Sequence, residues 1–217
     1  MGISDLVEYI KKGENESLKN ALQVNPAFAE RQTEQGVSLL LFAAYCRNME
    51  AVQIIRSFRT EIDLYEAVVC DDLDLVQRIL EAHPDWINLP ASDGFSALGL
   101  ACFFGRESIA LVLLQLGAAV NLASANAFKV APIHSAAAIS HLRLAQQLLD
   151  YGADVNATQQ SGVTPLHSAA HNGSLDLTSL FLNHGADVQA RTNDGKTPLD
   201  MAKEGGFVEV AALLQTK

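Results

Sequence analysis

The chain has 217 residues, of which 49% are apolar and 18% charged, and its formal net charge is −10. Such a composition supports a sizeable core and argues against disorder over most of the length. The negative balance repels phosphate backbones and anionic lipid, so neither nucleic acid nor a membrane surface is an expected partner.

The first stretch, Met1 to Lys12, interrupts its apolar residues with Asp5, Glu8, Lys11 and Lys12. It carries no signal-peptide pattern. No later segment has the apolar length of a membrane span. Cys46, Cys70 and Cys102 are odd in number and widely spaced. Reduced thiols in a cytoplasmic protein fit this better than disulfides or a zinc site.

A repeated unit organises the chain. Each copy has an apolar anchor and, seven residues on, a position that is glycine in most copies. In chain order the pairs are Leu6/Gly13, Leu40/Arg47, Leu64/Asp71, Leu98/Gly105, Ile133/Ser140, Leu166/Gly173 and Leu199/Gly206, at spacings of 34, 24, 34, 35, 33 and 33. The first copy, from about Ile3 to Pro26, offers Glu8, Lys11, Lys12, Glu14, Glu16 and Lys19, and suits a polar end cap. It closes on Val24-Asn25-Pro26-Ala27-Phe28, and the third copy closes likewise on Ala82-His83-Pro84-Asp85-Trp86. Proline stops the preceding helix there, and Phe28 and Trp86 are expected to fill the gap beneath.

The spacing of 24 between Leu40 and Leu64 lacks about nine residues. Only Phe58-Arg59-Thr60-Glu61 separates the second copy's outer helix from the next inner helix, so a projecting hairpin is expected to be missing between the second and third units. Arg47, Arg56 and Arg59 lie around this point and read as a solvated edge rather than a phosphate site.

The later copies explain their own shape. Thr164-Pro165 and Thr197-Pro198 open helices, with a capping hydroxyl followed by proline in the first turn. The paired alanines, as in Ala169-Ala170, let a second helix approach. The seventh-position residue ends the short inner helix in a left-handed conformation. Leu144, Leu148 and Leu149 form an apolar stripe on an outer helix. No such unit buries its apolar face alone, so neighbours must stack.

Gly162-Val163-Thr164-Pro165-Leu166-His167-Ser168-Ala169-Ala170, followed by Gly185-Ala186-Asp187-Val188, resembles the ankyrin repeat. Ala131–Ala157 and Thr164–Ala190 carry the motif almost intact; Gly36–Asn48, Gly94–Asn121 and Gly195–Leu214 carry it with substitutions. The resemblance implies an all-α ankyrin-repeat solenoid of about seven helix-turn-helix units with β-hairpin loops. The expected domain is a single one over 1–217, with units near 1–32, 33–59, 60–90, 91–124, 125–157, 158–190 and 191–217. Asp63-Leu64-Tyr65-Glu66-Ala67, Asp93-Gly94-Phe95, Leu98-Gly99-Leu100-Ala101 and Phe103-Phe104-Gly105 make the layout similar to small stand-alone bacterial ankyrin proteins, which implies a soluble intracellular protein.

What the family implies for function is binding of another protein through the concave face, formed by hairpin tips and inner helices. Mapped onto this chain, those positions include Tyr45, Val69, Phe95, Phe103, Phe104, Phe128, Ile139, Val163 and His171. A solvated face would be polar at these places, and an apolar one marks an interaction surface. The chain is expected to be a monomer and not an enzyme. An enzymatic role or a small molecule in a concave pocket around Phe103, Phe104 and His171, or a homo-oligomeric structural protein that self-associates through the apolar stripe, are the alternatives.

His167 and His171 have the spacing of two metal ligands but no obvious third, and His167 is a motif residue that in the family bonds within its own hairpin. Phosphate-loop, dinucleotide, metalloprotease and nucleophile-elbow motifs are absent. No cofactor or metal is expected.

Overall fold

The computed structural model describes residues 2–216. Among them are 14 α-helices and no strand beyond two isolated bridges. Contacts group the helices into two compact units, one ending at Pro84 and the other beginning at Asp85.

The first unit contains α1 (Ile3–Lys12), α2 (Asn15–Val24), α3 (Leu39–Tyr45), α4 (Met49–Phe58), α5 (Leu64–Val69) and α6 (Leu73–Ala82). The second contains α7 (Ala97–Phe103), α8 (Glu107–Gln115), α9 (Pro132–Ala138), α10 (Leu142–Asp150), α11 (Pro165–His171), α12 (Leu175–Asn183), α13 (Pro198–Glu204) and α14 (Val208–Gln215). Each odd-numbered helix packs against the helix that follows it. Within the second unit, α7, α9, α11 and α13 stack in one row and α8, α10, α12 and α14 in another. Leucines and alanines fill the layers between, including Leu98, Ile133, Leu166, Ala169 and Phe181, all fully buried.

The turn inside every helix pair has the same backbone. All seven residues at the glycine-rich position have positive φ: Gly13, Arg47, Asp71, Gly105, Ser140, Gly173 and Gly206. Geometry therefore holds even where glycine is replaced, at the cost of a left-handed residue carrying a Cβ. Side chains then cap the helices: Thr164, Ser96 and Asp63 each accept the N–H three residues on, at 3.4, 3.1 and 2.8 Å. Where proline was expected to stop a helix, it begins a 3-10 turn, Pro26–Glu30 after α2 and Pro84–Asn88 after α6. Phe28 and Trp86 are half-buried within those turns, and Phe28 lies under the Arg31 guanidinium at 4.9 Å.

The expected β-hairpins are tight turns without a ladder. Four share one pattern, in which an N–H donates to the carbonyl four residues on: Thr33 to Val37, Ala91 to Phe95, Gln159 to Val163 and Thr192 to Lys196. Only Gln32↔Ser38 and Pro90↔Ser96 add a bridge, because the arms are too short to pair further. A fifth turn, between α8 and α9, spans two residues more, from the Ser124 N–H to the Val130 carbonyl. This is where the spacing of 35 goes.

Asparagines tie neighbouring turns together in the second unit. Asn121 accepts from the Asp154 N–H at 2.8 Å and donates to the Gly152 carbonyl at 3.0 Å. Asn156 repeats both bonds to Asp187 and Gly185 at 2.8 and 3.0 Å.

The third residue of α9 and of α11 is a histidine that does a second structural job. His134 Nδ1 accepts the Ala131 N–H at 3.2 Å, and its Nε2 donates to the Ala157 carbonyl at 3.0 Å. His167 does the same with Thr164 at 3.2 Å and Lys196 at 3.1 Å. Accepting at Nδ1 assigns the neutral Nε2–H tautomer. Burial pushes both imidazoles below the usual histidine range, against the opposing effect of the carbonyls they donate to. The bond inside its own hairpin expected for His167 is thus a bond between its own helix start and the next turn.

In α5 the same slot holds Glu66, which is fully buried. Its Oε2 accepts from Arg59 Nη2 at 2.8 Å, and its Oε1 has no hydrogen-bond partner. Arg59, whose side chain is only 11% exposed, also donates to the Ala29 carbonyl at 3.2 Å and pairs with Glu30 at 2.9 Å. Glu30 in turn accepts from the Thr60 N–H and hydroxyl, both at 3.0 Å. Arg59 therefore anchors the short connector after α4 to the buried face of α5. The expected solvated arginine edge is corrected: Arg59 is internal, Arg56 pairs with Asp72, and of the three only Arg47 is exposed.

Candidate interaction surface

In the first unit, Tyr45 ends α3 and is half-buried. Val69 was expected on the surface but is fully buried, which removes it from any exposed patch. The reason is that α5 is enclosed on nearly every side: Leu64, Glu66, Ala67, Val68 and Val69 are all buried.

The other expected residues lie in the second unit. Phe103, the last residue of α7, is 41% exposed, and Ile139, at the end of α9, is 40% exposed. Phe95 and Phe104 are half-buried. The Phe95 and Phe103 ring centroids are 6.1 Å apart, and Phe103 meets Phe104 edge-on at 5.1 Å. These contacts fix the exposed Phe103 ring in place, since tilted and edge-to-face pairs are the favoured aromatic geometries. Gly99 beneath them leaves room for Phe95: a Cβ there would come within 3.3 Å of its ring. A Cβ on Gly105 would meet Ile139 at 3.4 Å, so the α7 and α9 ends adjoin. His171 is exposed at the end of α11 and Val163 is half-buried in the preceding turn.

Phe128 stands at the tip of the longer turn and is 61% exposed. The tips are linked in sequence. The Ala125 N–H donates to the Gly94 carbonyl at 2.7 Å, Gln160 to Phe128 at 2.9 Å and Asn193 to Ser161 at 2.8 Å.

Ionisable chemistry is sparse here. Among the described residues no group of three or more His, Cys, Asp or Glu is placed to hold a metal. Burial pushes the Cys46, Cys70 and Cys102 thiols up, away from the reactive thiolate. No helix of the described residues is long and apolar enough to cross a membrane.

Sequence reasoning did not point to the outer-helix side of this unit. An open groove of about 580 Å³ runs along α8, α10 and α12, lined by Leu142, Arg143, Gln147, Asp176 and Leu180 among others. Leu142 in its wall is 40% exposed, and Leu175, which does not line it, is 38% exposed at the start of α12. Their recurrence at the start of successive outer helices was the available signal.

A family model described as "Ankyrin repeats (3 copies)" matches residues 64–159 and, in a second placement, 133–217. No curated protein matches the chain.

Proposed function

Because the chain belongs to the ankyrin-repeat family, whose repeats are protein-interaction modules, we propose that it binds a partner protein through the inner-helix ends and turn tips of residues 85–217. The observation that carries this reading is the Phe95–Phe103–Phe104 cluster with Phe103 41% exposed. An aromatic ring held rigidly at a surface loses little conformational freedom on binding, and aromatic side chains of this kind supply most interface energy. The surrounding hydrogen bonds between turns serve the same end by presenting a preformed surface. Charge supports a protein rather than a nucleic acid, since the chain is net −10. We place the protein in the cytoplasm, as a monomer without catalytic activity.

The test is affinity capture from native extract by the intact protein and by Phe103→Asp, with circular dichroism on both. The expected result is at least one protein retained by the wild type and lost by a folded Phe103→Asp. If the variant unfolds, Phe103 is core and the surface assignment fails. If the folded variant retains everything the wild type does, the reading fails as well.

A further inference from the structure

We propose that Phe128 is the leading anchor of this surface, and that its partner is a folded protein offering an apolar pocket edged by a carboxylate. The inference rests on the binding reading above and adds the chemistry of the partner.

The turn from Ser124 to Val130 is the longest of the five, and its extra length places an aromatic ring outward. Phe128 is 61% exposed, the most exposed aromatic side chain of the described residues. An exposed ring on a mobile loop would mean little, but this turn is braced from within and from both sides. Ser124 Oγ accepts the Val130 N–H at 2.9 Å and donates to Asn126 Oδ1 at 2.8 Å. Asn126 Oδ1 also accepts the Phe128 N–H at 3.0 Å. Asn126 Nδ2 donates to the Asp93 carbonyl at 2.9 Å, and the Ala125 N–H to the Gly94 carbonyl at 2.7 Å. On the other side the Phe128 carbonyl accepts the Gln160 N–H at 2.9 Å. A Cβ on Gly94 would come within 2.8 Å of the Asn126 nitrogen, so the two tips meet backbone to backbone.

Shape then decides the kind of partner. A protruding ring is desolvated only by a concave receptor, so this chain supplies the knob and the partner the hole. A flexible linear peptide offers no such hole. Charge narrows it further. Lys129 follows Phe128 with a left-handed backbone, φ 51°, and is exposed. It puts a cationic residue next to the ring in sequence, on a chain whose net charge is −10, and a carboxylate at the pocket rim would complement it. Ring burial carries the affinity, and the rim charge sets orientation and approach.

The experiment places the photo-crosslinking residue p-benzoylphenylalanine at position 128 and, as control, at Arg143 on the outer helix α10, whose side chain is 83% exposed. Capture is compared for wild type, Phe103→Asp, Phe128→Ser and Lys129→Glu. The expected result is a crosslink from position 128, absent from position 143, mapping to an apolar cavity with an acidic residue at its edge. Retention should fall at least tenfold for Phe128→Ser, and severalfold for Lys129→Glu at low salt only. A protein lost with Phe103→Asp but retained by Phe128→Ser overturns this inference and leaves the binding reading standing. So does a crosslink to a disordered segment or to a basic rim. Wild-type protein that captures nothing overturns both.

Discussion

Replacing Arg59 by methionine keeps the aliphatic stem and deletes the guanidinium, which isolates the Glu66 carboxylate in a fully buried position. What remains to Glu66 is the Asp63 N–H at 3.3 Å, a weak bond, and a neutral hydrogen bond with the Ser38 side chain, neither of which supplies the lost charge, while Oε1 has no partner already. The pair with Glu30 matters less, because Glu30 is 39% exposed and such pairs contribute about 0–1 kcal/mol. Breaking a buried pair by removing one partner costs about 3–5 kcal/mol, and that loss dominates. Unfolding in urea, followed by circular dichroism at pH 7, should therefore show Arg59→Met destabilised by about that amount. Adding Glu66→Gln should restore most of it, since a neutral amide leaves no stranded charge. Burial holds the Glu66 carboxyl above the usual carboxylate range even with Arg59 present. A raised carboxyl favours the folded state when protonated, so the cost of the charge is full above its folded pKa and relieved as pH falls toward the unfolded value near 4.5. The gap between Arg59→Met and Arg59→Met/Glu66→Gln should accordingly narrow from pH 7 to pH 4.5. A single variant within about 1 kcal/mol of wild type, or a gap that does not change with pH, would refute the reasoning.

Three further outcomes follow from the same packing. Arg47→Gly should raise stability by about 0.5–1 kcal/mol in urea titrations, because Arg47 pays for a left-handed backbone at φ 56° while its side chain is exposed; a loss of stability would show that the arginine contributes more than its strain. Gly173→Ala should lower it by about 2–3 kcal/mol or more, since the new Cβ would lie 2.3 Å from the Phe207 ring at a backbone φ of +66°; a thermal midpoint equal to wild type would mean the ring moves freely. The neutral His134 and His167 contribute stability that is present above the unfolded histidine pKa near 6.5 and is lost as pH falls toward their lowered folded values. Stability measured between pH 7 and pH 5 should fall for wild type, and less steeply for His134→Gln/His167→Gln; equal slopes would show that neither imidazole is the group responsible.

The repeat was legible because it is written in local rules. Threonine or serine before the inner helix, a tolerant residue at the left-handed position and proline after α2 and α6 each act within a few residues. Arg59 was not legible as a buried ion because its burial depends on Ala29, Glu30 and Glu66, which local pattern does not bring together. Glu66 standing in a slot held by His134 and His167 was the one hint, as a buried third residue must find a polar partner. Val69 was misplaced because the rule for inner-helix ends assumes a solvated side, whereas α5 is short and enclosed. Phe103 and Phe128 stand exposed where repeat register puts them, but the ring contacts and the bracing through Asn126 that hold them needed coordinates.

Hydrogen exchange of the chain alone and with the protein it captures tests the proposed surface most directly. Slowed exchange in the turns at 91–95 and 124–130 and at the ends of α7 and α9, with α8, α10 and α12 unchanged, is the predicted result. Protection confined to the outer-helix groove along α8, α10 and α12 would contradict it.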